Sequence, residues 1–177
     1  MEKSQKSLSS LRLSRLRAVH LAQVAEIERL SYADAWSEED IEAFFDWGNC
    51  FGYVLTCRED QDSEVEVPET VAAFLLFEVT QGRIHIADVA VHPRFRRMGL
   101  ANRLIERLFV LAGRLGKKRV SLEVRMSNSA AIECYLRLGF RRQRIKKNYY
   151  PDGEDGVYMS RYLPERVEDG EAAALSQ

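Results

Sequence analysis

The chain has 177 residues, 46% of them hydrophobic and 30% charged, which excludes a fibrous or wholly disordered polymer and fits one domain with short tails. Lys and Arg number 26 against 27 Asp and Glu, so the net charge of −1 supplies no bulk field for nucleic acid or an anionic membrane. No window approaches the roughly 18 apolar residues of a membrane span, and the N-terminus carries no apolar signal core. Cysteine is limited to Cys50, Cys57 and Cys134, with no CxxC pair and no histidines at metal spacing. That pattern predicts a reducing, cytoplasmic setting with neither disulfide nor metal.

Residues 1–10 are polar and Ser-rich and are expected to form a flexible extension. An extended stretch from Leu11 leads to a helical pattern at 20–31, where Leu21, Val24, Ile27 and Leu30 mix with acids such as Glu28. Ser37 caps a second helix at 38–47 with acids in its first turn, and Gly48-Asn49 closes it. Strands follow at 51–57, 70–79 and 83–91, and the second of these is apolar throughout, as a central buried strand requires. The acidic stretch 58–69 between the first two reads as an exposed loop. Beyond His92-Pro93 the spacing of Leu100, Leu104, Ile105, Leu108 and Leu111 predicts a strongly amphipathic helix, ended at Gly116. Residues 120–125 alternate as a strand, with Ser121, Glu123 and Arg125 on the polar face. Asn128 caps a helix at 129–138, stopped by Gly139. Strands at 140–146 and 156–163 flank a turn-rich loop, and an acidic tail follows over 164–177. Alternating helices and strands in the middle, with hairpins at the ends, predict a mixed sheet flanked by helices, α/β or α+β.

The turn Arg96-Arg97-Met98-Gly99-Leu100-Ala101-Asn102 is the first candidate for chemistry. A strand, a basic turn with one glycine and a helix start make an anion site, because orphan N–H groups and the helix dipole converge there. Arg96 and Arg97 add positive charge suited to phosphate oxygens. The same features also describe an ordinary helix start with two solvated arginines.

Arg96-x-x-Gly99-x-Ala101 resembles the Q/R-x-x-G-x-G/A motif of the GNAT superfamily of N-acetyltransferases. Downstream, Leu122-Glu123-Val124-Arg125-x-Ser127-Asn128, Tyr135-x-x-Leu138-Gly139-Phe140 and Asn148-Tyr149-Tyr150-Pro151 resemble its RimI-type members, as do Ile27-Glu28 and Ala35-Trp36-Ser37 upstream. The likeness runs over about 11–163, taken as one GNAT domain. It implies a mostly antiparallel mixed sheet of about seven strands, splayed at the fourth and flanked by about four helices.

The resemblance also implies acetyl-CoA as cosubstrate and no metal. It places Arg97, Met98, Gly99, Leu100, Ala101 and Asn102 around the coenzyme pyrophosphate. Val89, Ala90 and Val91 receive the acetyl and pantetheine groups, and Asn128 contacts the pantetheine arm or serves as a plain helix cap. Glu123 is assigned the general base and Tyr135 the proton donor to sulfur. Tyr32, Tyr149 and Tyr150 border the acceptor, with acids of 152–155 suited to its ammonium or basic residues. The implied acceptor is a protein N-terminal α-amine, the N-terminal alanine of a small-subunit ribosomal protein. Neither nucleic acid nor membrane is an expected partner, and a monomer or weak homodimer is expected. A lysine or small-molecule amine acceptor, a coenzyme-binding module without turnover, and an RNA-binding accessory using the basic cluster 141–147 are the alternatives. Asp88 departs from the family's usual Asn, Ser or Thr, and either adds charge near the acceptor or is a strand-end polar residue. His85 and His92 have no evident partner and read as packing or surface residues.

Overall fold

A computed structural model describes residues 11–58 and 69–164. The calls of a flexible start, an exposed acidic loop and a flexible tail therefore fall, apart from a few flanking residues, outside the described residues. Seven strands, β1 Arg12–Arg15, β2 Cys50–Cys57, β3 Thr70–Val79, β4 Arg83–Val91, β5 Arg119–Arg125, β6 Arg141–Lys146 and β7 Gly156–Tyr162, form one sheet. Their order is β1-β2-β3-β4-β5-β7-β6, and every neighbouring pair is antiparallel except β4–β5. The parallel step follows from chain length, since only the crossover through a helix joins those two strands.

Helices α1 Leu21–Ser31 and α2 Glu38–Phe45 cover one face, and α3 Leu100–Arg114 covers the other, with α4 Ser129–Arg137 beside it. On the first face Val24, Ile27 and Ile41 meet Val54, Phe74, Leu76 and Ala90. On the second, Leu104, Ile105 and Leu108 meet Leu75, Phe77, Ile84, Ile86, Val120 and Leu122. Each of these side chains larger than alanine contributes roughly 1.5–3 kcal/mol relative to exposure, so the two apolar stripes rather than helix propensity hold the layers on. Gln23 fixes α1 over the sheet: its Oε1 accepts from Val71 N–H at 2.8 Å and its Nε2 donates to the Glu69 carbonyl at 3.2 Å.

The element order agrees with the sequence reading. Several boundaries shift by one residue, and one by two: α2 stops at Phe45 rather than 47, where Gly48 (φ 77°) turns the chain with its N–H on the Phe45 carbonyl at 3.2 Å, leaving Trp47 exposed. Among the described residues no helix is long and apolar enough to cross a membrane.

Candidate active site

The parallel pair is short. β4 and β5 are in register from Arg83↔Arg119 to Ile86↔Leu122, and then part while each continues. At that point β4 also changes phase. Against β3 the partners run Phe77↔Ile86 and then Leu76↔Asp88, so Ala87 is an extra, bulged residue. Upstream of it Ile84 and Ile86 face the α3 side; downstream Val89 packs on that side while Ala90 joins the α1/α2 core. Without the bulge, Asp88 would follow Ile86 onto the α3 face. With it, Asp88 turns toward α1. A cavity of about 550 Å³ opens at the split, lined among others by Glu28, Tyr32, Asp88, Val89, Glu123 and Tyr135.

Glu123 is 7% exposed at its side chain, and two side chains hold it. Oε2 lies 3.1 Å from Nε2 of His85, and Oε1 pairs with the Lys146 ammonium from the edge strand β6. His85 Nδ1 is 3.1 Å from the Ser121 hydroxyl, so with Nε2–H turned to Glu123 the other nitrogen accepts from Ser121. Burial alone disfavours the Glu123 charge, but the bonds to His85 and Lys146 outweigh it and hold the carboxyl below its ordinary value. His85 thus has a partner, contrary to its reading as a residue without one. His92 also has one, since its Nδ1 accepts from Arg94 N–H at 3.2 Å. Glu123 is tied to β4 and β6. Lys146, counted in the basic cluster 141–147, is turned toward Glu123.

Opposite Glu123 stands a second pair of acids. Glu28, buried on α1, faces Asp88 across the wall of the cavity, and Asp88 Oδ1 accepts from Val89 N–H at 2.6 Å. Glu28 Oε2 accepts from Trp36 N–H at 3.3 Å. Burial, then the neighbouring Asp88, raises Glu28 far above the carboxylate range; burial raises Asp88 as well. Two facing carboxylates in a desolvated wall share a proton rather than both ionise. Tyr32 closes the group, its hydroxyl donating to the Val89 carbonyl at 2.9 Å. Tyr135 reaches the cavity from α4, its ring edge-on to Phe140 with centroids 5.8 Å apart. Burial raises its phenol, with Asp88 adding to the effect.

The anion cradle lies at the start of α3. Arg97 has φ 65° and Gly99 φ 74°, and the first intrahelical bond is Arg103 N–H to the Gly99 carbonyl at 3.1 Å. The N–H groups of Leu100, Ala101 and Asn102 precede that bond and have no partner within the helix. A Cβ on Gly99 would meet nothing within 4 Å, so a diphosphate can approach this backbone; the residues present fit the coenzyme. The Leu100 side chain is buried and Met98 packs on the same core, which leaves their backbone alone to face a ligand. Arg96 is turned the other way: Nε donates to the Val91 carbonyl at 3.2 Å and Nη2 to Ser31 Oγ at 3.2 Å. It ties the end of β4 to α1 rather than standing free for phosphate. Asn128 caps α4, its Oδ1 accepting from Ala131 N–H at 3.1 Å, and also lines the cavity.

Arg125 bridges the rim. Its guanidinium reaches Asp34 at 3.0 Å and Asp152 and Glu154 at 2.8 Å, and lies 4.1 Å over the Tyr150 ring. Asp155 meanwhile pairs with Lys147 at 2.6 Å. The acids expected to greet a cationic acceptor are therefore engaged internally. Tyr32 and Tyr150 line the cavity, whereas Tyr149 packs outside it, beneath Lys146 and against Gly156.

Residues 21–140 match the family model described as Acetyltransferase (GNAT) family. The chain belongs to that family. The [ribosomal protein bS18]-alanine N-acetyltransferase of Salmonella typhimurium is 34% identical over 151 residues, covering 84% of this chain and 95% of that protein. The crystal structure of the ribosomal-protein-S18-alanine N-acetyltransferase from Escherichia coli superposes with a TM-score of 0.74 at 30% identity, covering 90% of this chain and 97% of that one. Arabidopsis thaliana NAA60, solved in complex with acetyl-CoA, shares the fold with a TM-score of 0.74 at 17% identity, covering 87% of this chain and 99% of its own. The chain is thus a GNAT enzyme, an acetyl-CoA-dependent N-acetyltransferase of the RimI type, with the splayed seven-stranded sheet of that fold.

Proposed function

We propose that this GNAT enzyme transfers acetyl to a protein N-terminal α-amine, and that the acceptor is the N-terminal alanine of a small-subunit ribosomal protein. The observation that carries the reading is the single cavity joining the split of β4 and β5 to Glu123 on one wall and Tyr135 on another. The likeness to the S18-alanine enzymes over 84% of the chain supports the acceptor.

Each group has a chemical task. The cradle from Arg97 to Asn102 binds the coenzyme phosphates through backbone N–H groups, and Asn128 meets the pantetheine arm. The thioester lies along Val89, Ala90 and Val91, whose edge β5 has left unpaired. A backbone N–H near Val91 polarises the thioester carbonyl, where most of the electrostatic stabilisation arises. Tyr135, held protonated by burial, gives its proton to the departing sulfur. Glu123 takes a proton from the attacking nitrogen through a water. Tyr32 and Tyr150 flank the acceptor's first residue.

A panel of short peptides with labelled acetyl-CoA tests the assignment. Acetylation confined to free N-terminal alanine, and lost when that amine is blocked, is the expected result. Transfer to an internal lysine or a small amine, with the α-amine untouched, overturns it.

A further inference from the structure

We propose that Asp88, turned into the cavity beside Glu28, is a second catalytic carboxylate that deprotonates the incoming ammonium, while Glu123 acts only on the nitrogen after attack. The inference rests on the amine-acetylating reading above and deepens it. The bulge at Ala87 turns Asp88 off the α3 face, next to the Val89 peptide and into the cavity that Tyr135 enters. Glu123, across the same cavity, has its oxygens committed to His85 and Lys146.

Acylating an ammonium removes two protons from nitrogen, and they differ greatly in acidity. The free α-ammonium is a weak acid, with pKa about 7.7–8, and needs a strong base. The nitrogen of the tetrahedral intermediate, bonded to a carbon bearing oxygen and sulfur, is a far stronger acid and needs only a weak one. The protein offers one base of each kind. Burial raises Asp88 more than Glu28, Tyr32 and the Val89 N–H lower it, and its surroundings add no cation: Glu28 from α1, Tyr32 and Asp34 after it and Tyr135 from α4 are all acids or phenols. Arg125 at the rim is bound to Asp34, Asp152 and Glu154. Glu123 is lowered by its bonds to His85 and Lys146 and stays ionised.

The steps balance. Asp88 takes one ammonium proton; the nitrogen lone pair bonds to the thioester carbon and the carbonyl pair moves to oxygen. Glu123 takes the second proton, the C–S bond breaks, and the sulfur takes the Tyr135 proton. The Glu123 proton restores the phenol through water, and the Asp88 proton leaves to solvent, so one proton is released per acetyl transferred. The one-proton pair also gives this wall a negative charge that attracts the ammonium.

The test compares pH profiles of kcat/KM for the parent, Asp88→Asn, Asp88→Ser and Glu123→Gln on an N-terminal alanine peptide, with acetyl-CoA affinity measured by titration calorimetry. Asp88→Asn keeps an oxygen for Val89 N–H, and Asp88→Ser serves if Asn does not fold. The expected outcome is a loss of roughly 100-fold at pH 7 in the Asp88 variants, with acetyl-CoA affinity intact. That loss shrinks as pH rises past about 8, where the amine is already neutral, whereas the Glu123→Gln deficit persists at every pH. Asp88 variants within about threefold of the parent at pH 7, or a deficit that does not shrink with pH, overturn the proposal. If the parent acetylates only small or side-chain amines, the acceptor reading fails and the same comparison on that amine decides the role of Asp88. A parent that acetylates no amine overturns both.

Discussion

Burial raises the Tyr135 phenol, with Asp88 and Cys134 adding to the effect, so the group stays protonated wherever an amine can attack. Phe in its place keeps the edge-on packing against Phe140 and loses only the hydroxyl. Tyr135→Phe is therefore expected to lower kcat by about 100-fold with acetyl-CoA affinity and Tm unchanged, as steady-state kinetics, calorimetry and thermal melts measure. A raised acetyl-CoA Kd at parental kcat would refute the donor role. That Glu123 and Tyr135 are candidates that share one cavity was readable from the sequence, because each stands at a fixed offset within a motif. Their partners were not. His85 is a lone histidine on a strand, and Lys146 sits in a run of basic residues; nothing local marks either as turned inward. Glu28 looked like one acid among several on α1, yet it is buried facing a carboxyl of β4. Periodicity records the face a residue occupies, and only the fold records what stands opposite.

At the scale of elements, Arg125 fastens the α1–α2 connection to the β6–β7 loop through Asp34, Asp152 and Glu154. Arg125→Gln is expected to raise the acceptor KM severalfold and speed amide exchange across 149–155, with the sheet core still protected. Unaltered exchange in that loop would show that the clasp does not order it. The pH sense follows from the carboxylates. Backbone N–H bonds and Arg125 hold Asp152 and Glu154 below their ordinary values, so the clasp is fully present above the unfolded carboxylate range, about 3.9–4.3, and is lost only as pH falls through the lower folded values. Strands and helices were read well because their apolar patterns are long: β3 is buried along most of its length and α3 carries one unbroken stripe. The bulge was not read. Ile86-Ala87-Asp88-Val89 alternates no worse than a regular strand, and the slip exists only relative to β3.

Among the described residues, the two halves of the sheet share backbone pairing only along the short β4–β5 ladder, and the coenzyme is expected to bind along that seam. Acetyl-CoA at about 100 times its Kd stabilises the folded state by about 2.7 kcal/mol, which for a chain of this size raises Tm by roughly 5–10 °C. Differential scanning fluorimetry measures this, and an unmoved Tm under saturating acetyl-CoA would contradict coenzyme binding at the seam. Both outer strands are rich in arginine, Arg12 and Arg15 on β1 and Arg141, Arg142 and Arg144 on β6, and like charges discourage edge-to-edge pairing of two copies. The extra residue at Ala87 makes chain length itself carry information. Substitutions nearby adjust size or charge, but a one-codon deletion would exchange the surroundings of every side chain from Asp88 to Val91, sending an acid into one hydrocarbon layer and valines into the other. This strand can therefore diverge by replacement, but not by shortening.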